Sequence, residues 1–421
     1  MKVLVIGNGA REHALACKIA RNPRVDAIYA MPGNAGTAGI ARNIAISSAD
    51  IPAIIKQAQE LRIGLVVVGP EAPLAAGITD MFNQTGIPVF GPSGSAARLE
   101  SSKAFARELM VSCGIPCAAG REFTDYGEAK SYLEKQSAPI VVKADGLAAG
   151  KGVTVADTLE EALAALDSMM KARIFGAAGD RVIIEECLVG REVSLLAFTD
   201  GKTVIPMVPA CDYKRVFDGD TGPNTGGMGS YSPPGFFDER MVKQVTATII
   251  KPVVDAMAAR GSQYKGVLYT GLIMTAGGPK VLEFNARFGD PETQAILPRL
   301  ETDLVDIMTA SINGTLDRVK IEWSGDACAG VVLASGGYPG EYQTGHTISV
   351  SDRLEKGIDI YYAGAKKQDD GRIVTDGGRV LTVAAAGVTL KEARDKVYRN
   401  IQYVNFKGMH YRTDIAAREV N

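Results

Sequence analysis

Apolar and polar positions along the 421-residue chain follow two periods. Residues 3–6 (VLVI), 27–31 (AIYAM), 65–68 (LVVV) and 89–90 (VF) are apolar almost without interruption, the pattern of parallel strands covered on both faces. One helix is predicted from about residue 11 to 21, a second over 101–113 with Ser101 or Ser102 as N-cap, and a third over about 159–171. Three strands run into loops of turn residues: Gly7-Asn8-Gly9, Pro32-Gly33-Asn34-Ala35-Gly36-Thr37 and Gly69-Pro70-Glu71-Ala72-Pro73-Leu74. Ligands of an open parallel sheet collect beyond the carboxyl ends of its strands, so the three loops describe one crevice. This α/β segment closes near Pro92-Ser93.

Strict alternation marks residues 281–292 (VLEFNARFGDPE). On a strand, Leu282, Phe284, Ala286 and Phe288 share one face, and Glu283, Asn285 and Arg287 the other. A water-facing edge strand would alternate in the same way. Carboxylate and amide oxygens two residues apart are, however, the hard donors that Mg²⁺ takes while keeping waters and nucleotide phosphates. Arg287, one step further, can hold a phosphate or carboxylate through two parallel hydrogen bonds.

Other stretches add candidate chemistry. Residues 139–152 (PIVVKADGLAAGKG) end an apolar strand on Lys143 and enter a loop with Gly146, Gly150 and Gly152. Such a loop can fold its amides over a polyphosphate and reopen. No Ser or Thr follows Lys151 and a strand comes next, so this is a nucleotide cradle other than a P-loop, or a plain hairpin turn. Lys103 sits in the first turn of its helix, where the dipole disfavours a cation; it is a surface lysine or one aimed at a phosphate. Residues 182–192 carry a strand into a short connector whose backbone can serve adenine, with Glu192 in reach of a ribose, unless its carboxylates are merely solvated. Residues 212–231, with five glycines, predict a long structureless loop, more often functional than not.

Composition narrows the classes. A hydrophobic fraction of 46% and a charged fraction of 22% fit a globular chain of about three domains. A net charge of −2 and a pI near 6.1 give no electrostatic footprint for nucleic acid or an anionic membrane. No apolar run reaches bilayer length, and the N-terminus enters a strand without a basic leader, so a cytoplasmic protein is expected. The six cysteines are scattered, and Cys113 and Cys117 lack a second pair or nearby histidine, so buried reduced thiols are expected instead of zinc. A nicotinamide-binding reading of the first glycine turn meets two objections: Glu12 stands where the third glycine belongs, and the second strand ends in Pro32-Gly33 without the ribose-holding acid. The turn meets a small phosphorylated substrate or serves packing.

In this order the motifs resemble the ATP-grasp superfamily, and within it the glycinamide ribonucleotide synthetase family. The resemblance runs through essentially the whole chain. It is carried by residues 7–14 (GNGAREHA), 32–37 (PGNAGT), 69–74 (GPEAPL), 143–152 (KADGLAAGKG), 222–229 (GPNTGGMG) and 283–293 (EFNARFGDPET). It implies an N-terminal open parallel α/β domain over 1–100, a central two-part ATP-grasp domain over 101–324 with a lid subdomain at about 122–193, and a C-terminal strand-rich α+β domain over 325–421. The implied reaction joins glycine to 5-phosphoribosylamine through glycyl phosphate, with ATP giving ADP and phosphate and with Mg²⁺ or Mn²⁺ as cofactor. By resemblance, Glu283 and Asn285 hold the metal, and Lys103, Lys143, Gly150 and Lys151 the phosphates under a 146–152 lid. Glu185, Glu186 and Leu188 surround adenine, and Glu192 the ribose. Arg287, Lys214 and Asp212 line the meeting point of acyl phosphate and amine, and Gly9, Gly33, Asn34 and Glu71 hold the phosphoribosylamine. Tyr213 stands where many members are expected to carry histidine; Ala10 and Ala416 replace frequent glycines and are read as neutral. Only small-molecule partners are implied, with a monomer or weak homo-oligomer. Two rivals remain. Another ATP-grasp ligase or carboxylase would share the centre but not the three loops. A non-catalytic nucleotide-binding protein would lack the metal donors or lid glycines.

Overall fold

A computed structural model describes residues 1–148 and 152–420. Gly150 and Lys151, expected at the phosphates, and the middle of the 146–152 loop lie outside those residues.

The first hundred residues build a parallel five-stranded sheet in the order Arg42–Asn43, Ala27–Pro32, Lys2–Gly7, Leu65–Val68, Val89–Phe90. Val3 and Val5 pack with Ala14, Leu15 and Ile19 of helix Ala10–Ile19. Leu4 and Ile6 pack on the opposite face with Ile54 and Ala58 of helix Ile51–Leu61. Covering both faces demands the unbroken apolar run. Chain order reverses about the central strand Lys2–Gly7, so the loops after it and after Leu65–Val68 diverge and open the crevice.

Two antiparallel sheets follow. One runs Gly120–Phe123, Val182–Glu186, Ile140–Ala144, Val153–Ala156, with Ala129 and Leu133 of helix Tyr126–Leu133 and Ala162 and Leu166 of helix Leu159–Leu166 packed on it. The other runs Val204–Pro206, Arg191–Asp200, Lys265–Thr275, Gly278–Asn285. Helix Lys103–Ser112 starts as expected, with Ser102 Oγ accepting the Phe105 N–H at 3.2 Å.

The strand read over 281–288 is shorter than its alternation predicts. It ends at Asn285, and a bulge beside Leu272 pairs Gly271 with Glu283 and Leu272 with Val281, leaving Leu282 half-buried. The ladder stops because the Ala286 N–H turns to the Glu100 carboxylate at 2.7 Å. Arg287 therefore sits on a bend beyond the strand.

The 212–231 segment is not structureless. Cys211–Asp212 and Gly229–Ser232 enter the sheet built mainly by Ala327–Ser335, Arg379–Gly387 and Ile358–Tyr362. Between them Arg215–Phe217 and Thr221–Asn224 form a hairpin. Glycine-rich sequence conceals these strands, and the partner that ties Gly229–Ser232 into the sheet, Ala327–Ser335, lies about a hundred residues away. Arg412, fully buried, pins the hairpin: Nη1 donates to the Arg215 carbonyl at 3.0 Å and pairs with Asp220 at 2.8 Å. Its guanidinium lies 4.6 Å from the centre of the Tyr213 ring. The Tyr213 hydroxyl accepts the Ala416 N–H at 2.9 Å. Ala416 itself has φ +60°, so alanine there is strained where glycine would not be, and the position is not neutral.

All six cysteines are free, but only Cys211 and Cys328 are buried, and Cys113 is exposed. Among the described residues no helix is long and apolar enough to cross a membrane.

Candidate active site

A cleft of about 620 Å³ opens between the two central antiparallel sheets. Strand Ile140–Ala144 brings Lys143 to it. Lys143 Nζ lies 2.6 Å from Glu185 Oε2 and 3.4 Å from the Leu282 carbonyl. Arg107 Nη1 approaches the other Glu185 oxygen at 3.2 Å, and its nitrogens donate to the Ala118 and Gly120 carbonyls at 2.7 Å each. The Glu185 carboxylate thus orients Lys143 against Arg107. Glu186 points outward, accepting from the Ala119 N–H at 2.8 Å and Lys280 Nζ at 2.9 Å; both contacts lower its pKa. Leu188, half-buried, also lines the cleft. Lys103 donates to the Gly146 carbonyl at 2.9 Å, at the mouth of the glycine loop. Burial lowers its pKa and Lys143 adds to this, against Glu283.

Glu283 faces this cationic wall. Burial pushes its carboxyl up, but Lys214, Lys143, Lys103 and Arg287 outweigh burial and hold it below the ordinary value. Asn285 Oδ1 accepts from Arg287 Nη2 at 3.3 Å. Among the described residues no group of three or more His, Cys, Asp and Glu side chains gathers into a self-sufficient metal site. One ionised carboxylate and one amide oxygen, both lining the cleft, are instead the donor set of a divalent ion that completes its shell with phosphates and water, and the residues fit that group.

Arg287 is held by two carboxylates. Its Nη2 lies 3.0 Å from Glu100 Oε1, and its Nε lies 3.4 Å from Glu71 Oε2 without forming a hydrogen bond. On the opposite wall Lys214 joins Glu192 and sits 3.9 Å from Asp212 Oδ1. Burial raises the Asp212 pKa, helped by Glu292, Glu192 and Glu283 and opposed by Lys214. The neighbouring carboxylates hold Lys214 well above its ordinary value despite burial.

The N-terminal crevice is brought in only in part. Glu71 lines the cleft; Gly9, Gly33 and Asn34 do not. Glu12 Oε2 accepts the Gly9 N–H at 2.6 Å, and Oε1 pairs with Arg11 Nε at 2.6 Å. A methyl group added at Gly7 would fall 2.6 Å from Glu12 Cγ, and one at Gly69 would strike its Oε1. The space that a dinucleotide pyrophosphate takes in a nicotinamide-binding turn is therefore filled by the chain's own carboxylate. The Asn34 amide is also engaged: Nδ2 donates to Asn8 O at 2.9 Å and Tyr362 O at 2.6 Å, while Oδ1 accepts from the Gly36 N–H at 2.8 Å and the Thr37 N–H at 3.0 Å. Gly33, at φ +73°, lies against Asn43 and Thr37, where a side chain has no room.

Three residues of the site escape the sequence reading. Arg107 stands four residues after Lys103, hence on the same helix face, a usable signal. Glu292 lies inside the motif already singled out; it is buried, with Oε1 accepting from Ser194 Oγ at 3.1 Å. Glu100 carries no local signal.

The two-sheet clasp around a lysine-lined cleft, with Glu283 opposite, is that of the ATP-grasp class. The biotin carboxylase domain of 2-oxoglutarate carboxylase from Hydrogenobacter thermophilus shares this fold at a TM-score of 0.76 and 17% identity, over 97% of this chain and 91% of that one. That likeness concerns fold alone. The family is narrower: residues 1–100, 101–293 and 328–418 match the N domain, the ATP-grasp (A) domain and the C domain of phosphoribosylglycinamide synthetase, and the chain belongs to that family. It is 50% identical over 420 residues to the phosphoribosylamine–glycine ligase of Halalkalibacterium halodurans, covering 100% of this chain and 97% of that protein. The ligase of Vibrio cholerae is 49% identical, over 100% and 99%. The crystal structure of the Thermotoga maritima phosphoribosylamine–glycine ligase superposes with a TM-score of 0.87 at 33% identity, over 99% and 100% of the two chains.

Proposed function

We propose that this chain is an ADP-forming ligase of purine biosynthesis that joins glycine to 5-phosphoribosylamine through glycyl phosphate, giving glycinamide ribonucleotide. The observation that carries the reading is the cleft itself: Lys103, Lys143, Lys214 and Arg287 converge on Glu283 and Asn285 in a chain that matches all three domains of the family.

A carboxylate resists amine attack because oxide would have to leave. Accepting the γ-phosphoryl group of ATP turns that oxygen into a phosphate leaving group. Such a transfer needs positioning and charge neutralisation more than a protein nucleophile. Lys103 and Lys143 hold phosphate oxygens, with Gly150 and Lys151 assigned to the same task. The backbone after Glu185, with Glu186 and Leu188, receives adenine, and Glu192 the ribose. Glu283 and Asn285 would hold a divalent ion that supplies charge neutralisation when bound; oxygen donors without a histidine suit Mg²⁺ and Mn²⁺ alike. Arg287 and Lys214 hold the acyl phosphate. Asp212, raised by burial, accepts the proton that the attacking amine loses. Glu71 faces the phosphoribosylamine, and Gly9, Gly33 and Asn34 shape the crevice behind that contact. The same reading takes the protein as cytoplasmic, acting on small molecules, and a monomer or weak homo-oligomer. It also takes 1–100, 101–324 and 325–421 as its domains, with the lid subdomain near 122–193.

The test is ADP release measured with each substrate withheld in turn. The reading expects sustained release only with ATP, glycine, phosphoribosylamine and a divalent metal together. Equal turnover with another carboxylate and no glycine would overturn it.

A further inference from the structure

The helix Arg98–Ser101 lies at the seam between the N-terminal and central segments, and Glu100 is its third residue. The Glu100 side chain is 7% exposed, against 31% for Glu71. Its two oxygens do different things. Oε2 accepts the Ala286 N–H at 2.7 Å, ending the strand that carries Glu283 and Asn285, and Oε1 meets Arg287 Nη2 at 3.0 Å. Arg287 donates hydrogen bonds to the Asn285 amide oxygen at 3.3 Å and the Phe288 carbonyl at 3.2 Å, and its two carboxylate contacts are ion pairs, of which Glu100 at 3.0 Å is closer and more buried than Glu71 at 3.4 Å.

We propose that Glu100 is a positioning residue for Arg287, fixing the guanidinium with one carboxylate oxygen while the other locks the backbone that carries it. An arginine side chain has many rotamers, and a buried charge-assisted contact selects one of them. Without it Glu71 is the one carboxylate left on the guanidinium, against only the neutral Asn285 and Phe288 acceptors, and draws it toward the crevice and away from the acyl phosphate. The inference rests on the placement of Arg287 at the meeting point of acyl phosphate and amine.

The test is a double-mutant cycle of Glu100→Gln and Arg287→Ala, with kcat and both KM values measured for all four proteins. Glutamine keeps the volume and an acceptor for the Ala286 N–H, but sets an amide N–H₂ against the guanidinium. Glu100→Gln should lower kcat about 100-fold, the cost of displacing a reacting group by about 1 Å, with the KM for ATP within about threefold of wild type. In the Arg287→Ala background the same change should alter kcat less than about twofold, because the group it positions is gone. Losses that multiply in the double variant would mean that Glu100 acts through the backbone alone, and would overturn the proposal. Near wild-type kcat in Arg287→Ala would instead overturn the placement of Arg287, and this inference with it. Should the glutamine variant not fold, Glu100→Asp, which keeps the charge and retracts it by one methylene, runs the same cycle under the same criteria.

Discussion

His13 joins the crevice helix to the C-terminal sheet, and replacing it gives a prediction with a sign and a size. The residue is 6% exposed, Nδ1 accepts the Tyr362 N–H at 3.0 Å, and the Tyr361 ring stands edge-on at 6.0 Å. Burial lowers its pKa from 6.5 to about 4. Protonation would also turn the Nδ1 acceptor into a donor facing a donor. The unfolded chain takes up a proton near pH 6.5 and the folded chain does not, so stability present above that pH is lost as pH falls toward 4. Each pKa unit is worth about 1.4 kcal/mol, so the full loss is about 3 kcal/mol, and about 2 kcal/mol is gone by pH 5. His13→Asn places Oδ1 near the Nδ1 position and cannot charge. Its packing defect makes it less stable than wild type at pH 7.5, but the gap measured by urea unfolding should narrow by about 2 kcal/mol at pH 5.0. A gap that stays constant between the two pH values would refute a buried neutral imidazole.

Other outcomes follow from the same structure. Glu283→Gln should lower turnover about a thousandfold at ordinary Mg²⁺, the loss of several kcal/mol of charge stabilisation, and recover in part as Mg²⁺ is raised; steady-state rates across a Mg²⁺ titration, with thermal unfolding as control, check it. Glu71→Ala should raise the KM for phosphoribosylamine about tenfold or more and leave the KM for ATP within about twofold, the loss of one charged contact. Ala416→Gly should raise the unfolding free energy by about 1 kcal/mol by relieving a positive φ, read as a shifted denaturant midpoint without change in kcat. Calorimetry with NAD should show no binding, since Glu12 fills the glycine cradle.

Legibility from sequence tracked the range of the interactions. The parallel sheet could be read because burial on both faces writes an unbroken apolar run, and Glu283 and Asn285 because a period of two exposes a chemical face. The end of that strand was not legible: it is set by Glu100, 186 residues earlier than Ala286. Strands within 211–232 were hidden because glycine-rich sequence carries no pattern of its own and is ordered by Ala327–Ser335 and Arg412. The Glu185 side chain bridges Lys143 and Arg107, a partner 78 residues away, in a pairing that no local pattern marks. The conformations of Gly33 and Asn34 are set by their own loop and by Tyr362, contacts that the turn sequence alone does not display.

The central claim is that the glycine carboxylate is phosphorylated before the amine attacks, and isotope transfer tests it most directly. Glycine labelled with ¹⁸O in both carboxylate oxygens is turned over with ATP and phosphoribosylamine, and the released phosphate is analysed by mass. Phosphoryl transfer makes one carboxylate oxygen the bridging atom, and amine attack expels it with phosphorus. The account predicts one ¹⁸O in each phosphate released and the other retained in the glycinamide carbonyl. Phosphate free of label, with product forming at the normal rate, would contradict it.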